Sequence, residues 1–211
     1  APGSPRRFAR ESPAVQTLVN TVVVDTPANG VLSVWSEGSA VRPLDYDALV
    51  LATGAYDRTV ALPGWTLPGV LTAGAASTLA KTHGVTRGMR LLVAGSGPFL
   101  LAVADDLSSQ GCQVQVVEAT PLSTSIGGLP TIARSAAISR QTLRYLFRLG
   151  VRRVRRQYGS MVTAIHGSDQ VKAATIHRVD QEWSPIAGSE RTVEVDAVCI
   201  GFGFVPQLEL A

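Results

Sequence analysis

The chain has 211 residues, 45% of them hydrophobic and 17% charged, with a formal net charge of +3. That balance excludes a disordered tail, two cysteines exclude a disulfide-stapled mini-protein, and no apolar run reaches the roughly 18 residues that would span a membrane. Seventeen arginines against two lysines, with aromatics at 6% and scattered, leave no base-stacking platform, so nucleic acid is not an expected partner and a soluble, cytoplasmic globular chain is.

Val19–Val24, Val31–Trp35 and a short stretch near Val41 predict an antiparallel meander. Asp47–Leu51 reads as a buried strand closed by Ala52-Thr53-Gly54. Thr72–His83 predicts a helix with Thr72 as N-cap and Gly84 as terminator. Arg90–Ala94 is an apolar run leading into Gly95-Ser96-Gly97-Pro98. Helical spacing follows over Phe99–Ser109, with Leu100, Val103, Ala104 and Leu107 on one face. Pro98 suits the first turn, where a missing N–H is harmless, and Gly111 suits the position past the end. Gln113–Val117 is a second strand ending at Glu118, so the segment forms the βαβ core of a parallel sheet.

Pro130–Leu149 predicts a longer helix, with Ile138, Leu143, Leu146 and Phe147 as candidate core residues and Gly150 as stop. Val151–Arg155 predicts a third strand. Met161–His166, Val171–Val179 and Arg191–Val195 predict a second meander, and Asp196–Ile200 a final apolar strand entering Gly201-Phe202-Gly203.

Asp47-Ala48-Leu49-Val50-Leu51-Ala52-Thr53-Gly54 and Asp196-Ala197-Val198-Cys199-Ile200-Gly201-Phe202-Gly203 share one pattern at an offset of 149 residues, each behind a meander. They read as an internal repeat. Gly95 precedes Gly203 by 108 residues, so the matching glycine turn of the first copy is expected roughly 54 residues before Ala1. The chain therefore reads as the middle of a larger protein. The expected division is residues 1–62 as the end of a first dinucleotide repeat, 63–195 as a nucleotide-binding domain, and 196–211 as a return strand.

Gly95-Ser96-Gly97-Pro98-Phe99-Leu100 matches G-x-G-x-x-G at its first two glycines. The first permits the tight turn, and the second lets backbone approach a pyrophosphate at the positive end of the helix. The third position wants a small residue and holds Leu100, which predicts a helix set slightly outward or shifted along the sheet. Glu118, 23 residues beyond Gly95, can accept hydrogen bonds from a ribose diol and repels a 2′-phosphate, which favours NAD over NADP. Arg152, Arg153, Arg155 and Arg156 argue the reverse only if they share a face, and strand alternation divides them. Cys112 and Cys199 form no C-x-x-C, and His83, His166 and His177 have no metal-ligand spacing. ATP shares the ribose diol that Glu118 would recognise, so a non-catalytic nucleotide-binding regulatory or structural module is the alternative.

Leu49–Arg58, with its Ala52-Thr53-Gly54-Ala55-Tyr56-Asp57-Arg58 core, and Leu62–Val70 resemble the FAD-dependent pyridine nucleotide-disulfide oxidoreductase-like proteins with two dinucleotide folds. The closest resemblance is to the alpha-type subunit of heteromeric amine dehydrogenases and oxidases, the group of sarcosine oxidase, opine oxidase, hydrogen cyanide synthase and proline or hydroxyproline dehydrogenase. The resemblance implies an α/β Rossmann-like NAD-binding domain flanked by parts of an FAD domain. It implies Gly95, Ser96, Gly97, Pro98, Phe99, Glu118 and Gly201 around NAD, and Ala52, Thr53 and Gly54 on the FAD side. It names no catalytic side chain. Its implied partners are a beta-type flavoprotein subunit, with a small iron-sulfur subunit beside it, and the implied substrate is an amine or imino acid. The flavin fingerprint is not found in these 211 residues, so this portion alone is expected to be inactive.

Overall fold

A computed structural model of the chain describes residues 14–83, 88–127 and 136–209. They fall into two compact units, Ala1–Gly54 with Pro206–Ala211, and Ala55–Val205. Among the described residues no helix is long and apolar enough to cross a membrane.

In the first unit β1 (Thr21–Ala28), β2 (Val31–Ser36) and β3 (Arg42–Asp45) form an antiparallel sheet in that order. Leu32 and Val34 on β2 are buried, while β1 is largely exposed. The predicted strand Asp47–Leu51 is not formed, and Val50 is 88% exposed. No neighbouring strand among the described residues offers its backbone a ladder, and apolar character alone cannot satisfy those N–H and C=O groups. Ala52-Thr53-Gly54 consequently closes an extended coil rather than a buried strand.

The second unit contains the ribbon strand β4 (Ala55–Asp57) and then β5 (Val70–Thr72), α1 (Ala73–His83), β6 (Arg90–Gly95), α2 (Phe99–Ser109) and β7 (Gln113–Glu118). After these come α3 (Leu122–Gly127), α4 (Ala136–Val151), β8 (Arg155–Tyr158), β9 (Ser160–Gly167), β10 (Val171–Arg178), β11 (Arg191–Glu194), β12 (Ala197–Gly201) and β13 (Phe204–Pro206). Five strands form a parallel sheet in the order β5-β12-β6-β7-β8. Both faces are covered, which is why its central strands read as near-continuous apolar runs. Leu91, Val93, Val114, Val116 and Cys199 join the helix-side core, and Leu92, Ala94, Val117, Val198 and Ile200 join the core beneath the antiparallel β9-β10-β11 meander. Each fully buried Leu or Val there contributes about 1.5–3 kcal/mol relative to exposure.

Local chemistry sets the helix ends. Thr72 caps α1 as expected, its Oγ1 accepting the Ala75 N–H at 3.2 Å, and the Asp57 carboxylate accepts the Gly74 N–H at 3.0 Å. The expected terminator Gly84 and the start of the third predicted helix at Pro130 lie outside the described residues. At the end of α2, Cys112 N–H bonds to Leu107 O and Gly111 N–H to Ser108 O, with Gly111 at φ +86°. This is a Schellman closure with glycine in the left-handed position.

The α4 region departs from expectation. Leu143 and Phe147 are 68% and 71% exposed, Ile138 lies outside the residues whose side chains are described, and among those described on this helix Leu149 is the fully buried one. The face towards α2 is instead anchored by ion pairs from Arg148 and Arg152 to Asp105. The helix runs through Gly150 to Val151, so the next strand begins at Arg155 rather than Val151.

At the amino-terminal edge of the parallel sheet, Asp196 accepts the Arg90 backbone N–H at 2.7 Å and pairs with its guanidinium at 2.8 Å. These bonds hold the Asp196 carboxyl below the ordinary carboxylate value. A depressed native value means that the stabilisation is present at neutral pH and is lost as pH falls below about 4, through the native value. Asp196→Asn is therefore expected to lower the melting temperature at pH 7, with the gap to wild type closing under acid. A pH series of melting curves on both proteins measures this, and a gap that persists in acid would refute it.

Candidate functional site

The chain leaves β6 towards β7 and β8 on one side and returns to β12 on the other. The strand order thus reverses between β6 and β12, and the crevice at a parallel sheet's carboxyl edge opens at such a point. Two glycines meet there: Gly95 pairs with Gly201 across the parallel ladder. Gly201 O accepts the Ser96 N–H at 2.9 Å, and Gly95 O accepts the Ala119 N–H at 2.8 Å. A Cβ on Gly95 would lie 1.8 Å from Gly201 O. The first fingerprint glycine is thus required by backbone-to-backbone contact.

Gly97 differs. It holds φ +104°, and a Cβ there would meet nothing within 4 Å. The space beside it is open, as close approach of a ligand to backbone requires. Its N–H donates to both oxygens of Glu118, at 3.0 and 3.3 Å, and the Thr120 N–H reaches Glu118 Oε1 at 3.1 Å. Glu118 is 8% exposed. Its carboxylate therefore ties the end of β7 to the glycine turn and keeps acceptor capacity, since two carboxylate oxygens offer about four lone-pair sites. The Phe99 N–H at the start of α2 has no partner among the described residues, leaving one donor at the positive end of the helix.

Leu100 at the third fingerprint position is 1% exposed. Its room comes from Gly201, where a Cβ would lie 3.0 Å from Leu100 Cδ2 and 2.8 Å from Ala73 Cβ. The small residue that the motif wants on the helix is supplied by the opposing strand.

Gly95, Ser96, Gly97, Pro98, Phe99, Glu118 and Gly201 thus share one edge of one sheet. Ala52, Thr53 and Gly54 belong to the first unit, where Thr53 Oγ1 donates to Gln207 O at 2.8 Å. Three further groups at the sheet edge were missed. Thr120 Oγ1 bonds Ser96 Oγ at 2.9 Å, Phe204 meets Phe99 edge-on at 4.8 Å, and Trp183 at φ +63° lies 6.2 Å from Phe202. Thr120 sits two residues beyond the strand-ending Glu118, a position the motif could have drawn attention to. The other contacts are non-local and leave no sequence signal.

Arg155 pairs with Gln115, and Tyr158 with Glu118, along β7 and β8. Three residues of strand, about 10 Å, therefore separate Arg155 from the Glu118 edge. Arg155 does not answer the Glu118 carboxylate. Cys199 is buried on β12, and burial, with Cys112 adding to it, pushes its thiol up to about 12. It stays protonated at neutral pH and is no nucleophile.

The sequence matches the family described as pyridine nucleotide-disulphide oxidoreductase over residues 6–211. It is 31% identical to the HcnB subunit of hydrogen cyanide synthase from Pseudomonas aeruginosa over 85% of this chain and 39% of that protein. It is 32% identical to one of the subunits of opine oxidase from Agrobacterium tumefaciens over 87% of this chain and 35% of that protein. The chain therefore spans less than half the length of these relatives. The fold is similar to that of a ferredoxin reductase from Rhodopseudomonas palustris, with TM-score 0.60 and 25% identity over 98% of this chain and 46% of that one. The resemblance carried by Leu49–Arg58 and Leu62–Val70 is thereby borne out, as is the Rossmann-like fold class.

Proposed function

The chain belongs to the pyridine nucleotide-disulphide oxidoreductase family, whose enzymes use FAD and NAD(P), and from that premise we propose that it is the central, NAD-binding portion of an oxidoreductase subunit in an amine or imino-acid dehydrogenase or oxidase complex. One observation carries the reading: the open side of Gly97, at a strand-order reversal closed by Gly95 and Gly201 and braced by Glu118. Gly97 and the Phe99 N–H would receive the pyrophosphate, and the one acceptor site left on Glu118, at Oε2, an adenosine ribose hydroxyl. Gly201 would border the pyridine end. The Glu118 charge disfavours a 2′-phosphate, so NAD is the nucleotide chosen.

Flavin supplies hydride and electron transfer in such enzymes. Among its described residues the first unit has no helix, hence no helix N-terminus for a second dinucleotide. The FAD site is proposed to draw Ala52, Thr53 and Gly54 together with parts of the subunit beyond these 211 residues. The described residues of the first unit offer no such site by themselves. Domain limits at residues 62 and 195, a cytoplasmic location, and beta-type flavoprotein and iron-sulfur partner subunits belong to the same proposal. The names of the relatives, which describe them as subunits, support the last of these.

A thermal-shift series on the full-length protein with NAD, NADP, ATP and FAD tests the nucleotide site. NAD at a hundredfold excess over its Kd is expected to stabilise by about 2.7 kcal/mol. Gly97→Ala should abolish that shift while lowering intrinsic stability by only about 1–2 kcal/mol, since the methyl strains the backbone but strikes nothing. A shift with ATP and none with NAD would favour a non-catalytic nucleotide module. Indifference to every dinucleotide would overturn the proposal.

A further inference from the structure

A cavity of about 470 Å³ lies at the other, amino-terminal edge of the parallel sheet. Its volume falls within the roughly 300–1,000 Å³ of small-molecule sites. Along β7 its wall residues Gln115 and Gln113 lie about 10 and 17 Å from the Glu118 edge. Gln113, Gln115, Arg155 and Glu194 line it from the strands, and Arg152 and Arg153 from the turn after α4.

Two of its cations are already answered. Arg90 at the rim pairs with Glu194 and Asp196, and Arg152 pairs with Asp105. Arg153 and Arg155 have no side-chain partner among the described residues. The Gln115 amide nitrogen is buried and has no acceptor among the described residues. Among the described residues the groups without a protein partner are thus two guanidiniums on exposed residues and one buried amide, all of them donors. A buried donor without an acceptor is destabilising, and it points to an acceptor that the protein itself does not supply.

The backbone gives an independent indication. Val154 N–H bonds to Leu149 O and Arg153 N–H to Gly150 O, the same closure that ends α2. There the left-handed position holds Gly111; here it holds Arg153 at φ +56°. An L side chain is disfavoured in that conformation, and glycine is the usual choice. Compensating the negative end of α4 does not explain it, since Arg148 and Arg152 already stand there and need no unusual φ. The strain instead holds one guanidinium at the cavity wall.

We propose that this cavity binds a small organic dianion, a phosphate monoester or a dicarboxylate, with Arg153 and Arg155 supplying the charge and Gln115 a neutral donor. Both ligand classes offer two negative charges and at least three acceptor oxygens. The site is independent of which nucleotide occupies the opposite edge.

The test is calorimetric titration of the full-length protein with glycerol 3-phosphate and with succinate, for wild type, Arg153→Gly and Arg155→Gln. One or both dianions are expected to bind wild type, the pattern identifying the phosphate or carboxylate source. Each substitution should weaken that binding by about tenfold or more. NAD affinity should not change. Arg153→Gly should also raise the melting temperature by roughly a few degrees, because it relieves the left-handed position. No binding of either dianion up to about 10 mM, a change of less than about twofold in Arg153→Gly, or a lowered melting temperature in that variant would each overturn the proposal.

Discussion

Gly95→Ala is expected to destabilise the second unit by about 3–5 kcal/mol, a large part of the roughly 5–15 kcal/mol that holds a domain together. Glycine at position 95 stands at φ +151°, and an added Cβ would lie 1.8 Å from Gly201 O and 2.4 Å from Gly201 C. Neither is the end of a flexible side chain, so β6 and β12 must part. Their separation also removes the Ser96 N–H bond to Gly201 O that shapes the turn. Urea denaturation of the full-length protein measures the loss as a lowered midpoint. Gly97→Ala, two residues away, is the internal control. Its stability loss should be much smaller, while its effect on nucleotide binding should be the larger of the two. Equal midpoints for the two variants would refute the close-contact account.

Leu100→Ala is expected to lower stability by about 2–5 kcal/mol, because a fully buried side chain between α2 and β12 leaves a void. Gly201→Ala alone should lower it by about 1–3 kcal/mol, its methyl crowding both Leu100 and Ala73. The informative measurement is the double variant. If Leu100 occupies the room that Gly201 vacates, the two losses should sum to about 1 kcal/mol more than the double variant shows. The Ala73 contact at 2.8 Å remains in the double variant, so recovery is partial. Strict additivity would show that the two positions do not share this space.

The segments most legible in the sequence were those whose environment is uniform. Arg90–Gly95 and Ala197–Gly201 are buried on both faces, so an apolar run bounded by glycine was sufficient signal. Phe99–Ser109 buries the face that its spacing marked, and Gly111 ends it. Along β2, β9 and β10 buried positions recur because one side of these strands is covered, while β1 and β3 are largely exposed. Asp47–Leu51 carried the same apolar signal and formed no strand, since a strand also needs a neighbour with free N–H and C=O groups. On α4, apolar residues at helical spacing suggested a core face, but Leu143 and Phe147 point away from it while charge pairs to Asp105 fasten the helix.

At the candidate site, the glycine turn and Glu118 were readable as a motif. Their mutual hydrogen bond was not, because the motif assigns the carboxylate to a ligand rather than to Gly97. The tolerance of Leu100 was equally hidden. It depends on a glycine 101 residues later, brought opposite by strand register alone.

The two segments that share a sequence pattern run into the ribbon of β4 and β13, which stand 149 residues apart, the offset of that pattern, although only the second segment forms a strand ahead of it. Gly54 and Gly203 both take left-handed backbone, at φ +86° and +96°. Arg58 N–H bonds to Gly203 O at 2.8 Å, and Gln207 N–H bonds to Gly54 O at 3.1 Å, so the chain beyond each ribbon strand is tied to the glycine ahead of the other. The second unit therefore begins and ends side by side, stitched at a single seam. A unit whose ends meet can be inserted into a host chain, or lifted from it, without stretching the host. In that sense Ala55–Val205 has the meeting ends of an insertable unit, and Gly54 and Gly203 flank them.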